Sequence, residues 1–157
     1  MTAQPMTSLA DARWLFVTGP NLPQRVFDDL KRNAPPNIQV ERFRSDLTAL
    51  FFTTKVSISQ CGYNTVADIL QARCAAVVVP FATGGETEQT RRAIALREKG
   101  RLAVVTEDSL TATSLAAAFE DALTFKCDDE TPAMRLDGAG VTASILHTFR
   151  ARETGTS

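Results

Sequence analysis

A chain of 157 residues, 44% hydrophobic and 22% charged, is sized for one globular domain around a single core. A formal charge of −1 excludes a general nucleic-acid binder, which would carry a basic face or arm, so no nucleic-acid partner is expected. No apolar run reaches the length of a membrane span, and the first residues lack the basic-then-apolar order of a signal peptide, which makes cytoplasmic residence the expectation.

Residues 1–12 are small and polar with no usable period, which predicts a flexible N-terminus. Five short apolar runs follow, at 14–18, 38–43, 56–60, 76–80 and 102–105, each suited to a strand. Between them the spacing is helical. Val26, Phe27 and Leu30 make a first stripe, and Leu47, Leu50 and Phe51 a shorter one. Val66, Ile69 and Leu70 make a third, and Ala93 and Leu96 a fourth that closes on Gly100 as a glycine cap. Leu115, Phe119, Ala122 and Leu123 make the fifth. The stretch 125–137 is polar, carries Pro132 and reads as a loop. Val141, Ile145 and Phe149, at i, i+4 and i+8, then predict a last helix over 140–152, with 153–157 a flexible tail. The domain is thus expected over 13–152.

Alternating strand and helix predicts an α/β fold, a Rossmann-like parallel sheet of about five strands with helices on both faces. The run Ala76-Val77-Val78-Val79 is continuously apolar, as a strand buried on both sides must be. Cys61, Cys74 and Cys127 are too few and too widely spaced for a zinc site or a disulfide framework, and Cys61 and Cys74 suit the core as small apolar residues. Sheets of this class take their ligands at the carboxyl ends of the strands. Two such junctions carry chemistry.

The first is Ser59-Gln60-Cys61-Gly62-Tyr63-Asn64-Thr65-Val66-Ala67-Asp68. Gly62 would let the chain turn sharply and a ligand approach closely. The N–H groups of Tyr63, Asn64 and Thr65 would open the next helix, where the helix dipole and free donors suit a phosphate. Asp68, three residues after Thr65, could accept two hydrogen bonds from a ribose diol. The same Thr65-x-x-Asp68 spacing also fits a capping box with no ligand at all. The second junction, 80–92, holds Gly84-Gly85 and then Glu88-Gln89. Glu88 and Gln89 offer the acceptors and donors that a sugar needs, although acids near a helix start also answer its dipole.

As an ordered set, these motifs resemble the C-terminal, donor-binding domain of GT-B glycosyltransferases, family 28, MurG-like. The likeness rests on Cys61-Gly62-Tyr63-Asn64-Thr65, Asp68, Val77-Val78-Val79-Pro80-Phe81, Glu88-Gln89, and Ala93, Leu96 and Gly100, over about 14–123. Phe43-Arg44-Ser45-Asp46-Leu47 is similar to the segment before the loop that meets the uracil base. The resemblance implies a UDP-sugar ligand, with Gly62, Asn64 and Thr65 facing the diphosphate and Ser59 among the donor-binding residues. It implies Asp68 at the ribose and Glu88 and Gln89 at the donor sugar, with Gly84 and Gly85 also among the donor-binding residues. Neither a metal nor another cofactor is implied, since such folds answer the leaving diphosphate with a helix dipole and hydrogen bonds. The chain departs from the family in Arg73 and Ala75, where Gly and Pro are usual, and in Asp68, one methylene shorter than the usual Glu.

In the family the first strand and its glycine-rich loop precede the position of Trp14, and that strand is expected to be missing here. The resemblance also implies a partner, an acceptor-binding N-terminal domain or a separate subunit, through which the chain could lie peripheral to a membrane. An uncovered face would also suit a homo-oligomer. Sugar transfer needs a base at the acceptor oxygen, and no catalytic residue is assigned. The single histidine, His147, falls on the predicted last helix beside Ile145, Leu146 and Phe149. The expected function is therefore the donor-binding half of a glycosyltransferase that transfers a hexosyl or N-acetylhexosaminyl group and needs its partner to act. A non-catalytic interaction module on a degenerate fold is the alternative, and a sugar-nucleotide epimerase a third reading.

Overall fold

Five strands and five α-helices alternate among the described residues of the computed structural model, which are 12–82, 87–125, Gly140 and Ala143. The chain divides into two units, Met1–Lys126 and Cys127–Ser157. Of the second, only Gly140 and Ala143 are described, and both are helical. The rest of the predicted last helix, with Val141, Ile145, His147 and Phe149, lies outside the described residues, as does Cys127.

In the first unit the strands are β1 (Trp14–Val17), β2 (Ile38–Glu41), β3 (Val56–Gln60), β4 (Ala75–Val79) and β5 (Ala103–Val104). The helices are α1 (Gln24–Asn33), α2 (Leu47–Phe51), α3 (Tyr63–Ala72), α4 (Glu88–Glu98) and α5 (Ala112–Thr124). A 3-10 turn at Glu107–Ser109 follows β5. Every strand and helix predicted in this unit is present, each within a few residues of its expected bounds.

All strand pairs are parallel, as the alternation requires. β4 lies between β3 and β5, with Ser57 opposite Ala76, Ile58 opposite Val77, and Val78 opposite Val104. Its alternate side chains serve two cores. Ala76 and Val78 join Val66 and Ile69 of α3, Ala93 and Leu96 of α4, and Phe51, Cys61, Cys74 and Leu102. Val77 points the other way, with Ala103 and Val105 and with Ala118, Phe119 and Ala122 of α5. Ala76, Val77 and Val78 are fully buried. Burying each valine contributes about 1.5–3 kcal/mol, so this strand anchors the unit.

The expectation of one five-stranded sheet needs correction. β1 and β2 form a two-stranded sheet and β3-β4-β5 a three-stranded one. The doubly wound order places a strand between these two groups, and the described residues supply none there. Without it, no hydrogen-bond ladder can run from β1 to β3. Side chains bridge the break instead, with the Trp14 ring 5.8 Å from that of Phe119 on α5.

Beside β1, the predicted stripe of α1 forms but buries none of its residues. Val26 and Leu30 line an apolar groove of about 350 Å³ with Phe16, Ile38 and Val40. The helix start is tied down by Arg42, whose guanidinium donates to the Leu22 carbonyl at 2.7 Å and to Gln24 Oε1 at 2.9 Å. The same group lies 4.4 Å above the Phe27 ring.

Two helices end in the same motif with different residues. At α4, the Gly100 N–H donates to the Arg97 carbonyl and the Arg101 N–H to that of Leu96, with Gly100 at φ +64°. At α3, the Arg73 N–H donates to Leu70 and the Cys74 N–H to Ile69, with Arg73 at φ +54°. Both are Schellman closures. Arg73 thus occupies a left-handed position that disfavours an L side chain by about 1–2 kcal/mol. Replacing it by glycine relieves that cost, and the looser unfolded chain returns about 0.5–1 kcal/mol of it. Arg73→Gly is expected to raise stability by about 0.5–1 kcal/mol and the thermal midpoint by roughly 2–4 °C, measured by calorimetric or circular-dichroism melting.

Candidate functional site

β3 ends at Gln60, Cys61 is fully buried, and Gly62 opens α3 as its N-cap with no side-chain cap. The first helical hydrogen bond runs from the Val66 N–H to the Gly62 carbonyl at 3.0 Å. The three N–H groups before it, on Tyr63, Asn64 and Thr65, therefore have no carbonyl within the helix. α3 has no acidic residue in its first turn to answer its dipole. This is the open helix start that the glycine turn predicted.

Gly62 itself departs from expectation. Its φ of −65° and ψ of 147° are open to any residue, and a Cβ there would meet only Thr65 Oγ1, at 3.8 Å. The backbone does not require glycine, so what it leaves is room in front of the helix. The capping-box alternative is not what forms. Thr65 lies inside α3 rather than at its cap, and Asp68 Oδ2 accepts from Thr48 Oγ1 at 3.2 Å. A true capping box stands elsewhere, at α5, where Thr111 Oγ1 accepts from the Ser114 N–H at 3.0 Å and Ser114 Oγ from the Thr111 N–H at 2.9 Å.

Asp68 stands six residues beyond Gly62, a rise of about 9 Å along the helix. Asn64 is exposed and Thr65 half-buried at the helix start. Ser59 behaves differently, its hydroxyl being buried with no hydrogen-bond partner among the described residues. Cys61 and Cys74 are free and buried, as expected. Burial pushes the Cys61 thiol up from its ordinary value, against the nearby Arg92 guanidinium, which favours the thiolate.

At the second junction, Glu88 and Gln89 open α4, while Gly84 and Gly85 lie outside the described residues. Gln89 Oε1 accepts the Phe81 N–H at 3.2 Å, so this amide fixes the chain leaving β4 and keeps its NH2 group for other contacts. The next N–H, of Ala82, donates to Glu107 Oε2 at 3.1 Å. Arg92 joins the two junctions. Its Nη1 donates to the Cys61 carbonyl at 2.8 Å, its Nη2 pairs with Glu88, and its guanidinium lies 5.5 Å from the Tyr63 ring centre.

Thr48, Arg92 and Glu107 were not singled out from the sequence. The Glu88–Arg92 spacing of i, i+4 is itself legible as a helix pair, but the reach from Arg92 to Cys61 spans 31 positions and has no local signal. Among the described residues no three His, Cys, Asp or Glu side chains gather as a metal would need, and no helix is long and apolar enough to cross a membrane.

Residues 43–47 carry a further charged cluster. Arg44 donates from Nε to Asp46 Oδ1 at 2.7 Å and from Nη2 to Oδ2 at 2.6 Å, and lies 3.3 Å from Glu41. Asp46 stands at the N-cap of α2 yet makes no cap bond, because Arg44 holds its carboxylate.

Residues 3–144 match the family described as Glycosyltransferase family 28 C-terminal domain. The chain is 27% identical over 155 residues to the UDP-N-acetylglucosamine--N-acetylmuramyl-(pentapeptide) pyrophosphoryl-undecaprenol N-acetylglucosamine transferase of Lactiplantibacillus plantarum, covering 98% of this chain and 43% of that one. The enzyme of the same name from an Exiguobacterium species is 29% identical over 123 residues, covering 77% and 33%. The chain thus spans less than half the length of these relatives. Among solved structures, MurG of Acinetobacter baumannii superposes with a TM-score of 0.60 at 23% identity, over 76% of this chain and 38% of that one. A glycotransferase of kitacinnamycin superposes with a TM-score of 0.61 at 18% identity, over 76% and 29%. These likenesses support the GT-B fold.

The Arg44 hydrogen bonds hold the Asp46 carboxyl below its ordinary range. It is expected to titrate below the usual aspartate value of about 3.9. Whatever stability the pair gives is complete above that value and is lost as pH falls through the lowered one. An NMR titration of the side-chain carboxyl checks this, and Arg44→Ala should raise the Asp46 titration toward the ordinary value.

Proposed function

The chain belongs to the glycosyltransferase family 28 C-terminal domain family, and on that premise we propose that it binds the nucleotide-sugar donor, a UDP-sugar, of a sugar-transfer reaction. The observation that carries this reading is the uncapped start of α3, with Gly62 leaving space before it and Asp68 further along the same helix. In this reading the diphosphate lies before Tyr63, Asn64 and Thr65, where backbone N–H groups and the helix dipole meet its charge without a metal. Asp68 takes the ribose hydroxyls, and Glu88 and Gln89 take hydroxyls of the donor sugar.

Transfer also needs a base at the acceptor oxygen. The named relatives are two to three times longer than the matched stretch, and an acceptor-binding domain or subunit would supply that base and the facing wall. The transferred group is then a hexosyl or N-acetylhexosaminyl unit. When the bond to the donor sugar breaks, the electron pair passes to the diphosphate, where the α3 start stabilises it.

Calorimetric titration of the chain with UDP and UDP-N-acetylglucosamine, with ADP and GDP as controls, tests the reading. Saturable binding of the uridine ligands alone is expected. Asp68→Ala should weaken it by about 1.5–3 kcal/mol, the range for a hydrogen bond to a charged group. Gly62→Ala should change stability by no more than about 0.5 kcal/mol while weakening binding, because its new methyl group fills the space before the helix. Wild-type affinity in both variants would place the ligand elsewhere. No nucleotide bound at millimolar concentration would leave a non-catalytic interaction module on the same fold.

A further inference from the structure

We infer that Arg92 is the positioning residue of this donor site, coupling its phosphate end to its sugar end; the inference rests on the donor-binding reading above. One guanidinium makes three contacts that belong to two different elements. Nη1 holds the Cys61 carbonyl at 2.8 Å, in the turn that leads into α3. Nη2 pairs with Glu88, in the first turn of α4. The plane of the group sits near the Tyr63 ring, at the first position of α3.

The exposures of the pair fix the direction of its effect. The Arg92 side chain is only 19% exposed, whereas that of Glu88 is 74% exposed. Arg92 is therefore the fixed member, seated between the elements, and Glu88 is the member that a ligand can reach. A planar fork suits this duty, because it can hold a carbonyl and a carboxylate at once in set directions. Lysine, a point charge on a flexible stem, can keep only one of the two.

Arg92 does not need to touch the ligand. It sets where the α3 start lies relative to Glu88, and so the distance between diphosphate and sugar that the site accepts. Loss of the fork should then have two effects together, of which loss of Glu88 alone could give only the second. It should weaken UDP, which never meets Glu88, and it should remove the extra affinity that the sugar brings.

The test compares the wild-type chain, Arg92→Ala, Arg92→Lys and Asp68→Ala for UDP and UDP-N-acetylglucosamine, with thermal melting alongside. Arg92→Ala is expected to weaken UDP by about tenfold, as for one lost hydrogen bond to a charged group, and to bring the ratio of the two affinities toward one. Arg92→Lys should keep the ratio, by pairing with Glu88, yet leave UDP weakened. Ring signals of Tyr63, the single tyrosine, should shift in Arg92→Ala before any ligand is added.

Loss of binding in Asp68→Ala with wild-type affinities in Arg92→Ala would overturn the role of Arg92 and leave the donor site standing. A fall in both affinities with no change in their ratio, matched by a lowered midpoint, would make Arg92 a structural residue and overturn the inference as well. Wild type that binds neither nucleotide would overturn the donor-site reading, and this inference with it.

Discussion

The burial of β4 on both faces is the constraint on which the rest of the unit depends. Ala76 and Val78 need α3 and α4 above them, while Val77 needs α5 below. A parallel strand reached by helical crossovers on both faces satisfies both demands at once. That requirement sends the chain back across the sheet after β3 and again after β4. It therefore brings both strand-to-helix junctions to the same end of the sheet, the carboxyl ends of adjacent strands. The site geometry is in this sense a by-product of how one valine-rich strand is covered.

The two-stranded sheet depends on this core much less. β1 and β2 pair with each other, but α1 buries none of its own residues, and Phe16, Val26 and Leu30 border an open groove. Contact with the main core passes through Trp14 and Phe119. The place left between β1 and β3 is the third in the doubly wound order. The two regions thus differ in kind: one is set by a buried strand between two layers, the other by a hydrogen-bonded pair with a thin cover.

Much of this was legible in the sequence because the signals were local. Apolar runs of four to six residues gave the strands, and a continuous run gave the strand buried on both sides. Gly100 marked one helix end. The opposite helix end could not be read this way, because Arg73 takes the left-handed position that glycine usually fills. The Thr65-x-x-Asp68 spacing was ambiguous in sequence, and structure resolves it through Thr48, twenty positions away. Ser59 and Gln89 show the same limit. A serine at a strand end can face solvent or the interior, and an amide can meet a ligand or its own backbone. Here the Ser59 hydroxyl is buried and Gln89 holds Phe81. Spacing supplies residue type and helix face, but not the partner brought in by the rest of the chain.

Missing side-chain caps do not by themselves single out α3, since α1, α2 and α4 also lack them. What distinguishes α3 is a combination of features that the other helix starts do not share. α4 carries Glu88 in its first turn, a negative charge where the dipole favours one. α1 has a guanidinium at its start, with Arg42 bound to the Leu22 carbonyl and to Gln24, an arrangement that ties down the loop. α2, at five residues, is too short to build a dipole of consequence. α5 spends its first donors on the Thr111–Ser114 box. α3 alone among these begins on a residue with no side chain, after the fully buried Cys61, with its first turn uncharged and a carboxylate six residues on. At the carboxyl end of a strand in a parallel sheet, an uncapped helix start with no acid in its first turn has the charge and free donors that suit an anion.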